Sequence, residues 1–461
     1  MRRSQGIAAT LVLVLVVGGA AYADREVAPR AFGPGADGPA SSGMWMCPHG
    51  GGPEGWEVFL QIANPGDSVA TIRVTSLGAD RPSEPETLDV GPGEFVRVPV
   101  DAEGRGRTSA VEWFGGWVAA GWLAHAGGGE GGVAVEPCTP AAGSTWLLPD
   151  GTTEVEDDHD FVVVMNPFSR QAVFSLALLS ERQEPVRHSD LTDVVLKPFR
   201  SAAFNLNDVV LGERTVSTLL EVSVGRVAAA TLGVSGAGGI RAALGYLGEA
   251  SSPFTFPGGE DAGRTELAVM NVAAEEAGAG RVTLAGGIVG ADGEVPFAGL
   301  ADTSMPSGSA RTFPATTTGT TSIRLVPSGP GVAAVRRTFG VASDQAAVTA
   351  GVPAPSWIVL PAVAGTPNAP GLVLSNPGTD PAVVTLRFLS PGPADEVTVT
   401  VAPGTTVQAP QAFVRSGPEG AVLATASSGT FIAASASYSL GAEGVAAYAV
   451  ALGIPIPMDP S

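Results

Sequence analysis

The densest polar constellation in the sequence is Asp150 followed by Glu154-Val155-Glu156-Asp157-Asp158-His159-Asp160. Carboxylate oxygens gathered in one loop are the donor set of a hard cation such as Ca2+, and an imidazole beside them would suit Zn2+. Glu154, Glu156, Asp157, Asp158, His159 and Asp160 are therefore the candidate metal ligands. A solvated acidic loop would have the same composition, and the spacing does not match an EF-hand loop. A second concentration is aromatic: Trp113, Phe114, Trp117 and Trp122, with Trp56 upstream. Trp113, Trp117 and Trp122 are the candidate ligand platform, since exposed indole faces stack on sugar rings, but dense core packing would use the same residues. Cys47 and Cys138 are the only two cysteines and stand 91 residues apart. A zinc site wants four ligands at short spacing and a redox couple wants C-x-x-C. With neither pattern present, one structural disulfide is expected, in an oxidising compartment.

Nothing else in the chain converges on a reaction. His49, His125, His159 and His188 sit in unrelated local settings, and none belongs to an H-E-x-x-H, G-x-S-x-G, P-loop or S-x-x-K motif. The glycine runs Gly127–Gly132 and Gly236–Gly239 are followed by strand-like sequence rather than by the helix N-terminus a phosphate cradle needs. No catalysis and no cofactor are expected.

The elements that carry these residues repeat. Apolar runs end in Asn64-Pro65-Gly66, Asn166-Pro167, Asn271 and Asn376-Pro377, spaced by 102 to 105 residues. Each is preceded by an aromatic-to-proline opening: Trp45 to Pro48, Trp146 to Pro149, Phe254 to Pro257 and Trp357 to Pro361. Each is followed by a Pro/Gly-type turn, at Gly91-Pro92-Gly93, Lys197-Pro198-Phe199, Pro306-Ser307-Gly308 and Pro403-Gly404. Val118-Ala119, Val227-Ala228, Val332-Ala333 and Ile432-Ala433 come next. Period-two alternation, cleanest in Val397–Val401, and the absence of a capped 3.6-residue period predict an all-β chain. Seven or eight short strands in about 100 residues suit an immunoglobulin-like sandwich. The expected organisation is a signal peptide or membrane anchor (1–23), a flexible spacer (24–43) and four sandwiches at 44–140, 141–249, 250–353 (divergent) and 354–455. Laid end to end they would extend about 150 Å. The recurring tryptophan is expected to plug the sandwich, and Asn-Pro to stop a strand and turn.

With these W-x-x-P, N-P-G and V-A landmarks, the chain resembles a family of actinobacterial envelope proteins of unknown function built from such β repeats, over about residues 44–453. The segment Asn64–Leu77 also resembles bacterial surface Ig-like and fibronectin-like modules. The family resemblance implies a location and a fold and supplies no catalytic residues.

Composition narrows the partners. The 461 residues carry 45 acidic and 25 basic side chains, a net charge of −20, which argues against a nucleic-acid partner and a polybasic membrane contact. Arg2, Arg3, the apolar run from Ile7 and Ala21-Tyr22-Ala23 read as a signal peptide, or as an uncleaved anchor that would be the membrane contact. Both place the rest outside the cytoplasm, at the cell envelope. The expected role is a non-enzymatic stalk, scaffold or adhesin that binds an envelope protein or glycan; the alternative is a carbohydrate-binding accessory using the tryptophans of the first repeat.

Overall fold

The computed structural model describes residues 42–457 apart from 128–129, 183, 249–252, 261–263, 274–279, 302, 341–343, 363–368, 390–394, 417–419 and 441–445. The expected signal or anchor segment and nearly all of the spacer lie outside the described residues. Residues Ala40–Ile456 form one compact unit. It is all-β, with one short α-helix, Gln411–Ser416, among the described residues. No helix of the described residues is long and apolar enough to cross a membrane.

Strand formation follows the alternation. In Ala70–Leu77, Ala70, Ile72, Val74 and Ser76 are buried while Thr71, Arg73 and Thr75 face outward. The period of two puts every second side chain on one face, so one face becomes core. The first repeat has eight strands: β1 (Ser42–Gly50), β2 (Glu57–Ala63), β3 (Ala70–Leu77), β4 (Glu86–Val90), β5 (Phe95–Val100), β6 (Arg107–Phe114), β7 (Ala119–Ala126) and β8 (Gly132–Pro137). They form two antiparallel sheets, ordered β1-β6-β3-β4 and β5-β2-β7-β8. The same pair of sheets recurs in the other three repeats, with an extra hairpin strand in the third. The tandem-sandwich expectation holds. The inner pairing is that of an immunoglobulin domain, β2 with β5 and β3 with β6, but the flanks are exchanged. β1 lies beside β6, where an immunoglobulin domain places its last strand, and β7 lies beside β2, where it places its first.

Each repeat returns at its end to its own first strand. Tyr246–Leu247 pairs with Trp146 and Leu147, and Ile454–Pro455 pairs with Trp357 and Ile358. In the first repeat this return is the bridge from Met46 to Thr139 beside the Cys47–Cys138 disulfide, and in the third it is the bridge from Thr255 to Gly351.

The four sandwiches do not stand in a row. The last strand of each main sheet lies at its edge: β8, Ile240–Leu244, Gln345–Val348 and Ala446–Leu452. β8 packs on Ile240–Leu244, which packs on Gln345–Val348, which packs on Ala446–Leu452, and that strand packs back on β8. Alternation lets each serve two neighbours. Ala134 of β8 joins Ile240 and Ala242, while Val133 and Val135 join Ala449 and Ala451. Ala347 meets Ala243, while Ala346 and Val348 meet Tyr448 and Val450. The array is a closed ring of four, not the extended file of about 150 Å that end-to-end sandwiches would make. An open sheet edge presents unpaired backbone groups that recruit other strands. Here four edges converge on one axis, and small side chains let them approach closely.

Candidate functional site

The asparagines are structural clamps. Asn64, at the end of β2, donates through Nδ2 to the carbonyls of Ser68 (2.8 Å) and Val90 (2.9 Å), and its Oδ1 accepts from the Gly66 amide (2.9 Å). Val90 ends β4 in the opposite sheet, so one side chain closes the turn and ties the two sheets together. Asn166 repeats this with Arg170, Leu196, Lys197 and Phe168, and Asn376 with Asp380, Val401 and Gly378. Asn271, which has no proline after it, keeps the cross-sheet bond to Met305 (3.0 Å) and the turn bond from Ala273 (3.0 Å). The plugging tryptophans are equally regular. The indole N–H groups of Trp45, Trp146 and Trp357 each donate at 2.8 Å, to the carbonyls of Val118, Val227 and Phe431.

The first repeat's other tryptophans do not make a ligand platform. Trp113 is 5% and Trp122 1% exposed, both in the core. Trp117 is half-buried and meets Trp45 edge-on, with ring centroids 6.2 Å apart. Burial of the indole area stabilises the fold more than exposure to an occasional ligand would, and in β6 and β7 the alternation points Trp113 and Trp122 inward. Cys47 and Cys138 are bonded, as their count and spacing implied, and staple β1 to the residue after β8.

The acidic loop is divided. Glu154, Glu156, Asp157 and His159 are exposed and Asp158 is half-buried, while Asp150 and Asp160 are buried. Among the described residues no group of three or more His, Cys, Asp or Glu is placed to hold a metal ion. Asp158 accepts instead from the Gly236 amide (3.0 Å). The two buried carboxylates belong to a guanidinium. Arg241 donates through Nε to Asp150 (3.1 Å), through Nη2 to Asp160 (2.6 Å) and through Nη1 to Gln345 of the third repeat (2.7 Å). Thr152 adds its amide to Asp160 (3.0 Å). Arg337, also of the third repeat, lies 3.8 Å from Asp150 and 3.7 Å from Glu266, and donates to Thr312 (2.6 Å). Arg214 of the second repeat reaches back to Glu266 (2.5 Å). Burial works against the charge of Arg241, but Asp150 and Asp160 overcome it and hold its pKa above the ordinary guanidinium value. This lattice of alternating charges locks the second repeat to the third. Sequence reasoning missed Arg241, Arg337, Glu266 and Gln345, which lie in ordinary-looking strands.

Two buried titratable groups lie in the first repeat. Glu136 of β8 accepts the Leu244 amide through Oε2 (3.3 Å), and its Oε1 has no hydrogen-bond partner among the described residues. Burial, and then the nearby Asp150 charge, push its carboxyl well above the usual range, favouring the neutral acid, although the Leu244 bond opposes this. His49 lies 3.1 Å from Ser109 Oγ, and burial with the Arg107 charge lowers its pKa to about 3. The other histidines are exposed, and among the described residues none pairs with a nucleophile.

No curated protein matches the chain. Among solved structures it is similar to Thermotoga maritima 1070, with 19% identity over 23% of this chain and 95% of that one, at a TM-score of 0.20 that carries no argument. A family model described as a family of unknown function (DUF5719) matches residues 110–356, from β6 to the opening strand of the fourth repeat. More than half of the sequence lies in that match, and the chain belongs to the DUF5719 family.

Proposed function

We propose that the protein is an exported, non-enzymatic binding scaffold of the cell envelope. The observation that carries this reading is the ring: each sandwich uses one sheet edge to close it, which leaves the outward loops as presentation surfaces on a stiff frame. The buried charges serve the junction between repeats two and three, where they are spent on each other. A disulfide on the first repeat suits an oxidising compartment. The signal-like N-terminus and the resemblance to actinobacterial envelope proteins agree with that location. A protein partner is favoured over a glycan, because Trp113 and Trp122 are inside.

The test is topology and state in cells. A tagged full-length chain is expected in the envelope fraction, cleavable by protease added outside, with Cys47 and Cys138 protected from alkylation until reduced. A cytoplasmic protein with both thiols open to alkylation would overturn the proposal.

A further inference from the structure

At one end of the second sandwich three turns meet. They are 167–171, after strand His159–Asn166; 197–199, after Val194–Leu196; and 225–227, after Val216–Val224. The first two are bound together: the Phe199 amide donates to the Phe168 carbonyl (3.2 Å), and Asn166 Nδ2 donates to the Lys197 carbonyl (3.2 Å). The strands leading to them put Val195, Val173 and Val224 side by side across the sheet.

This end departs from its counterparts at two positions. Asn64-Pro65 and Asn376-Pro377 are followed by Gly66 and Gly378, whereas Asn166-Pro167 is followed by Phe168. In the next turn Gly93, Gly308 and Gly404 have φ of 67°, 69° and 62°, and the second repeat has Phe199 there at φ 53°. A bulky side chain in the left-handed region is strained, and such strain persists where the surrounding structure imposes it, often at functional sites. The two rings are not core: Phe168 is 37% and Phe199 41% exposed, beside Val195 at 57% and Val224 at 49%.

The charge is also inverted. The three turns and the residue that follows the second carry Arg170, Lys197, Arg200 and Arg226, with no Asp or Glu. None of the four cations has an ion pair among the described residues; Arg200 donates only to the carbonyls of its own turn. The corresponding turns of the first and fourth repeats carry acids, Asp67 and Glu94 in one and Asp380 in the other. A chain of net charge −20 thus concentrates unpaired cations around two exposed rings at one tip.

We propose that this tip docks on an anionic lipid bilayer. Phe168 and Phe199 enter the boundary between headgroups and acyl chains, while Arg170, Lys197, Arg200 and Arg226 meet the lipid phosphates. Phenyl rings offer no hydrogen bonds to a polar polymer, and an apolar tip ringed by long cationic side chains is the arrangement that a headgroup interface rewards. The contact goes beyond the scaffold reading and differs from the expectation that any membrane contact is confined to the N-terminal segment. It can fail while that reading stands, because vesicle binding is measured without reference to location or partner.

The test is flotation of the full-length protein with vesicles of phosphatidylcholine alone, and of phosphatidylcholine with one-third phosphatidylglycerol. The N-terminal segment is the same in all variants, so differences report the tip. Wild type is expected to prefer the anionic vesicles. Phe168→Gly with Phe199→Gly, which restores what other repeats carry, should weaken that binding at least tenfold while the unfolding temperature stays equal or rises. Arg170→Gln, Lys197→Gln and Arg226→Gln should each weaken it about fivefold. Wild-type binding to the anionic vesicles by the double glycine variant would overturn the proposal, as would binding that Arg170→Gln, Lys197→Gln and Arg226→Gln all leave unchanged. Binding that depends on the cations but not on the rings would confine the contact to the lipid phosphates and would overturn the insertion of Phe168 and Phe199.

Discussion

Replacing Asn64 by alanine tests the clamp that each repeat is built around. The side chain is fully buried and makes three hydrogen bonds, to Ser68, Val90 and Gly66. At a net contribution of about 1 kcal/mol per bond, Asn64→Ala should cost about 3 kcal/mol, and more if the Val90 carbonyl is left buried without a donor. Asn64→Asp is the sharper variant. It keeps the acceptor for Gly66 but turns a carboxylate towards two carbonyl oxygens, so near neutral pH it should destabilise at least as much as alanine and recover in acid as the group protonates. Asn271, with two such bonds among the described residues, should lose at least about 2 kcal/mol on the same substitution. Urea unfolding gives the ordering through the midpoints at constant slope. A loss below about 0.5 kcal/mol for Asn64→Ala, which is the range of ordinary surface substitutions, or an aspartate variant as stable as wild type at pH 7, would refute the assignment.

Further outcomes follow from buried charge. The folded-state pKa of His49 is depressed to about 3 against 6.5 unfolded, so the fold is unpenalised above pH 6.5 and loses stability as pH falls from there towards 3. Between pH 7 and pH 5 that amounts to about 2 kcal/mol, which His49→Gln should remove from the pH–stability curve measured by denaturant. Glu136 has the opposite sign: its pKa is raised, so its contribution is complete below the unfolded value of about 4.5 and is lost as pH rises through the folded value. Glu136→Gln should therefore raise the unfolding midpoint at pH 8 and change it little at pH 4, read by thermal unfolding at both. Asp160→Ala takes from Arg241 one of its two carboxylates and should cost about 3 to 5 kcal/mol. Amide exchange should then speed up in Ile240–Leu244 and Gln345–Val348 before it does in β8.

The repeat, the strands and the plugging tryptophans were legible because they rest on local rules. Alternation, a strand stop at Asn-Pro and an aromatic needing burial are visible in any one copy. The disulfide was legible from the number of cysteines. The ring was not, because Ile240–Leu244 and Gln345–Val348 look like any other edge strand, and which edge meets which is decided by packing between residues far apart in sequence. The acidic loop misled for a related reason. Asp150 and Asp160 are neighbours in composition to Glu154 and Asp157, and only the fold separates the carboxylates that face Arg241 from those that face water. Phe168 and Phe199 stand where other repeats carry glycine, a difference that sequence reasoning did not single out. Their meaning needed the φ angle at Phe199 and the exposure of both rings.

Closure of the ring also fixes arithmetic and timing. A linear array can gain or lose a unit by duplication or deletion and keep both of its ends. Four wedges that meet around an axis have no place for a fifth, and three would leave two raw edges, so length variation between relatives should fall in loops rather than in whole repeats. The seam between the first and last repeats includes the bond from Gln61 to the Pro361 carbonyl, which joins positions 300 residues apart. During synthesis β8 is complete long before its last neighbour exists. The first sandwich must leave β8 uncovered until the fourth arrives, and such distant closure is slow and exposed to wrong partners. In an oxidising compartment, the disulfide within the first repeat holds the shape of that quarter until the fourth closes on it.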